Sequence, residues 1–198
     1  MRKYIFCLFF ITVSHFLYSQ NAIKMIVDEG SKDDFELVKY VIESNKGKNR
    51  IGEVLPFFET RTIDDLMFSS QDLSEISFIT IWHSKCAPCV AEIPILNELK
   101  GKYGDKVSFY GITFEEDEIL KNSIRKYGFD FENLIMEQEA IQNLSFFGGY
   151  PTNLIIIDGV IIYCHYGGPP PSNSKFYSLM VDALKSKYME VLDVICIK

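Results

Sequence analysis

Ile79-Thr80-Ile81-Trp82-His83-Ser84-Lys85-Cys86-Ala87-Pro88-Cys89 runs from an apolar stretch directly into two cysteines separated by two residues. Residues 77–82 read as a strand. Residues 90–103 have helical spacing, with Ile93, Leu96, Leu99 and Tyr103 on one face. The cysteine pair therefore falls where a strand ends and a helix begins. Backbone N–H groups and the helix dipole stabilise a thiolate at such a junction, lowering its pKa from a free value of about 8.5. Cys86 is accordingly expected to attack and Cys89, one helical turn on, to resolve the mixed disulfide. Lys85 adds a cation beside Cys86. Two competing readings are half of a zinc site and a passive disulfide. Zinc needs four ligands, and no second close Cys/His pair exists: Cys164 and His165 are adjacent, and Cys196 stands near the end.

Working outward, 107–113 is a second strand, 115–127 a charged helix, 133–136 extended and 137–144 a short helix. The apolar runs 153–157 and 160–166 flank Asp158-Gly159, a hairpin signal. Pro169-Pro170-Pro171 breaks the chain, and 173–188 reads as a terminal amphipathic helix, leaving 189–198 as a tail. Upstream, strand-like pieces at 56–60 and 66–69 flank a turn at Asp64-Asp65. Strands alternating with helices, closed by a hairpin and a helix, imply an α/β fold with a central mixed sheet and helices on both faces. The domain is expected over 51–188.

The N-terminus is of different composition. Met1-Arg2-Lys3 is followed by an apolar run from Tyr4, which gives way to polar residues near Ser19 and Gln20. That layout predicts a signal peptide over 1–19 and an exported, periplasmic or extracytoplasmic protein, with an uncleaved membrane anchor as the alternative. Residues 20–50 form an N-terminal extension with a short helix at 33–44. Cys7 leaves with the signal. Cys164 and Cys196 are weighed as either free thiols or a second disulfide, since an oxidising compartment permits one. The formal charge of −7, with no Lys or Arg run, argues against nucleic acid as a partner.

The segment from Ile79 to Cys89, followed by Glu92-Ile93-Pro94, resembles the active-site region of the TlpA/ResA group of exported thioredoxin-like proteins. Gly149-Tyr150-Pro151-Thr152, leading into Leu154-Ile155-Ile156-Ile157, resembles that group's cis-proline loop and the strand after it. The resemblance implies a thioredoxin-like fold with Cys86 and Cys89 as the redox-active disulfide. It also implies Glu92 as the acidic residue that influences thiol ionisation and proton transfer. Independently, Glu92 lies three positions after Cys89, on the same helix face; a solvated carboxylate is the bland alternative. Pro94 matches a proline within that helix. Pro151 matches the proline with a preceding cis bond, which presents the backbone of Tyr150 to a substrate strand. Tyr150 is expected to line the groove or simply to pack.

Two positions depart from the pattern. Lys85 stands where the group commonly has Trp, which points to a more oxidising couple. Thr80 stands where thioredoxin has a buried Asp, leaving Glu92 as the proton-handling candidate. His83 could tune the thiol, and Trp82 is expected to pack beneath the site.

The expected activity is thiol–disulfide exchange on protein disulfides or thiols, more often reduction than oxidation. By resemblance, electrons come from a membrane donor of the DsbD/CcdA type and apocytochrome c is one substrate. The motifs call for no cofactor and no metal. A thiol peroxidase is the first alternative, but peroxiredoxins set Thr or Ser several residues before a single peroxidatic cysteine. A metal-binding chaperone is the second, but those space their cysteines by three.

Overall fold

The computed structural model describes residues 50–196. The expected signal at 1–19 and the expected helix at 33–44 lie outside those residues.

Seven strands form one mixed sheet in the order β2-β1-β5-β4-β3-β6-β7. They are β1 (Glu59–Thr62), β2 (Met67–Ser69), β3 (Ile76–Ile81), β4 (Ser108–Thr113), β5 (Glu132–Ile135), β6 (Thr152–Ile157) and β7 (Val160–Tyr166). Among the described residues the helices are α1 (Ala87–Tyr103), α2 (Asp117–Tyr127), α3 (Gln138–Asn143) and α4 (Tyr177–Ile195).

β3 is buried along nearly its whole length because it lies mid-sheet and both of its faces are covered, so its sequence is mostly apolar, with Ser77 and Thr80 as the buried polar exceptions. It pairs in parallel with β4, through the α1 crossover, and antiparallel with β6. β4 and β5 are parallel with α2 between them, and β1–β2 adds an antiparallel hairpin beyond β5. The β6–β7 turn forms as its sequence predicts. Asp158 and Gly159 both take positive φ, which aspartate tolerates and glycine adopts without steric cost.

Two apolar layers sandwich the sheet. On one face Phe78, Phe109 and Ile155 pack with Ile93 and Leu96 of α1, Leu120 of α2 and Leu184 and Tyr188 of α4. On the other, Ile79, Ile81, Ile112, Leu154 and Ile161 pack with Ile141 of α3 and with Phe146. The expected α/β architecture with helices on both faces is the one observed.

The last helix differs from expectation. It starts after the turns that follow the proline run and continues to Ile195, so 189–195 are helical rather than a tail. The reason is packing: Met180, Leu184, Tyr188, Val191 and Leu192 continue one buried face past residue 188.

Candidate active site

Cys86 is the N-cap of α1, with extended backbone angles, and its sulfur accepts the N–H of Cys89 at 3.2 Å. The helix begins here because the side chain of Cys86 takes up an N–H that has no intrahelical acceptor. Pro88 falls in the first turn, where its missing N–H costs nothing. Cys86 and Cys89 are joined as a disulfide, so the oxidised form of the pair is the one seen. Cys86 is 8% exposed and Cys89 2%, which makes Cys86 the more accessible residue of the pair. Lys85 is exposed beside it.

Glu92 is fully buried, which removes the solvated-carboxylate reading. It projects from α1 one turn after Cys89, onto the sheet face that α4 covers. Tyr188 Oη donates to its Oε1 at 2.7 Å, and Asn153 Nδ2 lies 3.1 Å from each carboxylate oxygen. Burial raises its pKa to about 7, against the opposing pull of the Tyr188 and Asn153 hydrogen bonds. Pro94, also in α1, is exposed.

The rim beside the disulfide is aromatic. Tyr150 packs against His83 (ring centroids 4.8 Å apart), Phe147 (5.0 Å) and Phe114 (5.9 Å). Burial is the main influence lowering the pKa of His83; Lys85 adds to it and Glu115 opposes it. The Tyr150–Pro151 peptide bond is cis. Ser84 donates to Glu115 through both its N–H (3.1 Å) and its hydroxyl, tying the loop before Cys86 to the loop after β4. Trp82 lies below, edge-on to Phe129 at 4.7 Å and donating to Asn133 Oδ1 at 3.1 Å.

Sequence reasoning overlooked four residues here: Asn153, Tyr188, Glu115 and Gly168. The last sits just past β7, against Pro88 and Pro151. Asn153 offered one signal, as a polar residue at the head of the apolar run 154–157. Tyr188 offered none, because an aromatic residue on a helical stripe reads as core. Cys164 and Cys196 are not joined to each other in a disulfide. They pack into different layers, Cys164 with the α3-side core and Cys196 with the α4-side core.

A thioredoxin-like sheet that delivers a Cys-X-X-Cys disulfide to a helix start, over a buried carboxyl, defines the class: a thiol–disulfide oxidoreductase. Among curated proteins, the thiol–disulfide oxidoreductase ResA of Bacillus thuringiensis (strain Al Hakam) is 30% identical over 123 residues, 60% of this chain and 71% of that protein. ResA of Bacillus anthracis gives the same values. The thioredoxin-like protein YneN of Bacillus subtilis is 25% identical over 121 residues, 59% of this chain and 71% of that protein. No family model matches the chain. Two solved structures share the fold. A putative thiol:disulfide interchange protein DsbE from Chlorobium tepidum has a TM-score of 0.59 at 18% identity, covering 72% of this chain and 97% of that one. StoA from Bacillus subtilis has a TM-score of 0.51 at 17% identity, covering 68% and 98%. The chain belongs to the ResA family of thiol–disulfide oxidoreductases.

Proposed function

We propose that this protein is an exported reductase of protein disulfides, working through Cys86 and Cys89. The observation that carries this reading is Cys86 capping α1 as the more exposed of two paired cysteines, with the buried Glu92 carboxyl one helical turn beyond Cys89.

In the reduced protein the Cys86 thiolate attacks a substrate disulfide. A mixed disulfide forms, and one substrate sulfur leaves as a thiolate and takes up a proton. Cys89 then loses its proton, for which the Glu92 carboxylate is the acceptor, and attacks Cys86 Sγ. The Cys86–Cys89 disulfide forms and the second substrate sulfur is released. Two electrons pass from the protein dithiol to the substrate, and a membrane thiol donor of the DsbD/CcdA type restores the dithiol. Apocytochrome c is a substrate of the right chemistry because its haem-attachment cysteines must be reduced. Tyr150 and Pro151 line the groove that receives the substrate chain.

Equilibration of the Cys86–Cys89 couple against a dithiol buffer tests the direction. A reductase is expected to lie near or below about −200 mV, towards thioredoxin's value of about −270 mV. A potential near about −120 mV, that of a strong oxidant, would overturn the reductase reading. Reduction of a protein disulfide by the purified dithiol form is the companion assay.

A further inference from the structure

Asn153, at the start of β6, sits beside Thr80 of β3 and His165 of β7 in one row across the sheet. All three are buried and share the face on which α1 and α4 pack. Asn153 is aimed in a particular way. Its Nδ2 donates to Tyr188 Oη at 2.8 Å and reaches both oxygens of Glu92 at 3.1 Å. Its Oδ1 meets no partner. An unmet buried carbonyl is costly, so this orientation requires a compensating demand for N–H groups on the opposite side. Glu92 and Tyr188 supply that demand. The reverse orientation would put an amide oxygen against a carboxylate.

The amide has two hydrogens for three acceptors. Tyr188 Oη takes one, and the two oxygens of Glu92 share the other. Tyr188 then passes its own hydrogen to Glu92 Oε1 at 2.7 Å. Each donor in this short chain polarises the next.

We propose that Asn153 and Tyr188 are positioning residues for Glu92. The strand amide orients the phenol, the phenol orients the carboxyl, and together they let a fully buried carboxyl hold charge when it takes up a thiol proton. The thiol part of this inference rests on the role proposed above for Glu92; the carboxyl's own titration does not.

Several other groups lie on the elements packed around the carboxyl. Cys89 precedes it on α1, Thr80 lies on β3, and Tyr163 and His165 lie on β7. Burial holds the Tyr163 and Tyr188 phenols neutral, with Glu92 adding to the upward shift of both. Burial also lowers the pKa of His165 to about 3, and Lys187 of α4 pushes it the same way. Glu190 of α4 acts on Tyr163. The donors that stabilise charge on Glu92 are therefore Asn153 and Tyr188.

The test follows the protonated carboxyl's C=O stretch by infrared spectroscopy across pH in the oxidised protein, with the band assigned by its loss in Glu92→Gln. Tyr188→Phe removes a donor to the charged form and should move the midpoint upward by about one pH unit. Asn153→Ala should move it in the same direction, which keeps the test open if Tyr188→Phe does not fold. In the reduced protein, the pH profile of Cys86 alkylation should move with Tyr188→Phe but not move further when that change is added to Glu92→Gln. A midpoint unmoved or lowered in both single variants overturns the positioning proposal. A raised midpoint with an alkylation profile indifferent to Glu92→Gln upholds the positioning and removes Glu92 from the thiol chemistry.

Discussion

Gly168 and Pro88 meet so closely that a Cβ on the glycine would stand 2.8 Å from the Pro88 carbonyl oxygen and 3.2 Å from Pro151 Cγ. The chain leaving β7 thus presses its bare backbone against the cysteine turn and the proline loop together. Gly168→Ala should displace that turn, because a helix-start backbone cannot yield as a flexible side chain can. The expected outcome is a loss of about 1–3 kcal/mol in urea unfolding together with slower reduction of a protein disulfide. Wild-type values in both assays would mean that the strand exit moves away freely.

Cys86, rather than Cys89, should trap substrate. Cys89→Ala leaves the accessible sulfur at the helix start without its resolving partner, so mixed disulfides should accumulate with protein substrates. Cys86→Ala leaves only the deeper sulfur and should trap little. Non-reducing gels followed by mass spectrometry of the adducts read the difference, and equal trapping by the two variants would reverse or erase the assignment.

Glu92 makes stability depend on pH with a definite sign. Burial raises its folded pKa from the ordinary 4.5 to about 7, so the native state binds the extra proton between those values. The stabilisation is complete below about 4.5, is lost as pH rises towards 7, and is flat above that. The difference is on the order of 3 kcal/mol. Glu92→Gln should flatten this slope in denaturant titrations at several pH values. The same variant should slow exchange and alter the pH profile of Cys86 alkylation. A slope retained in the variant would assign the titration to another group.

Gly111, in the middle of β4, reports on the support beneath the site. A Cβ there would lie 2.8 Å from Phe129 Cε1, 2.9 Å from Asn133 Oδ1 and 3.0 Å from Trp82 Nε1. Gly111→Ala should therefore break or stretch the Trp82–Asn133 hydrogen bond and cost about 1–3 kcal/mol. A red-shifted tryptophan emission in the folded protein would accompany it, Trp82 being the only tryptophan. An unshifted emission with full stability would show that this layer has room to spare.

The strand, the cysteine turn and the helix after it were legible from residues 77–103 because each is specified locally. An apolar run long enough for a buried strand, a two-residue spacing between cysteines and a helical apolar stripe are all short-range signals. The hairpin at Asp158-Gly159 was legible for the same reason: both residues tolerate positive φ. Glu92 could be placed on the face of Cys89 by counting alone. Its burial, and therefore its ionisation, could not. That depends on α4 crossing over α1 and on β6 lying beside β3, contacts that join residues 61 and 96 positions apart. Tyr188 entered the sequence reading only as the end of the helix expected over 173–188; it is core, and packing turns its hydroxyl towards a carboxyl. The extent of α4 was likewise a tertiary decision, since Val191 and Leu192 extend the helix by having a core to enter. Sequence determined the chemistry at Cys86 and Cys89, because a helix start and a two-residue spacing are local. Tertiary structure decided which groups surround Glu92, because burial and hydrogen-bond partners are properties of what the fold brings together.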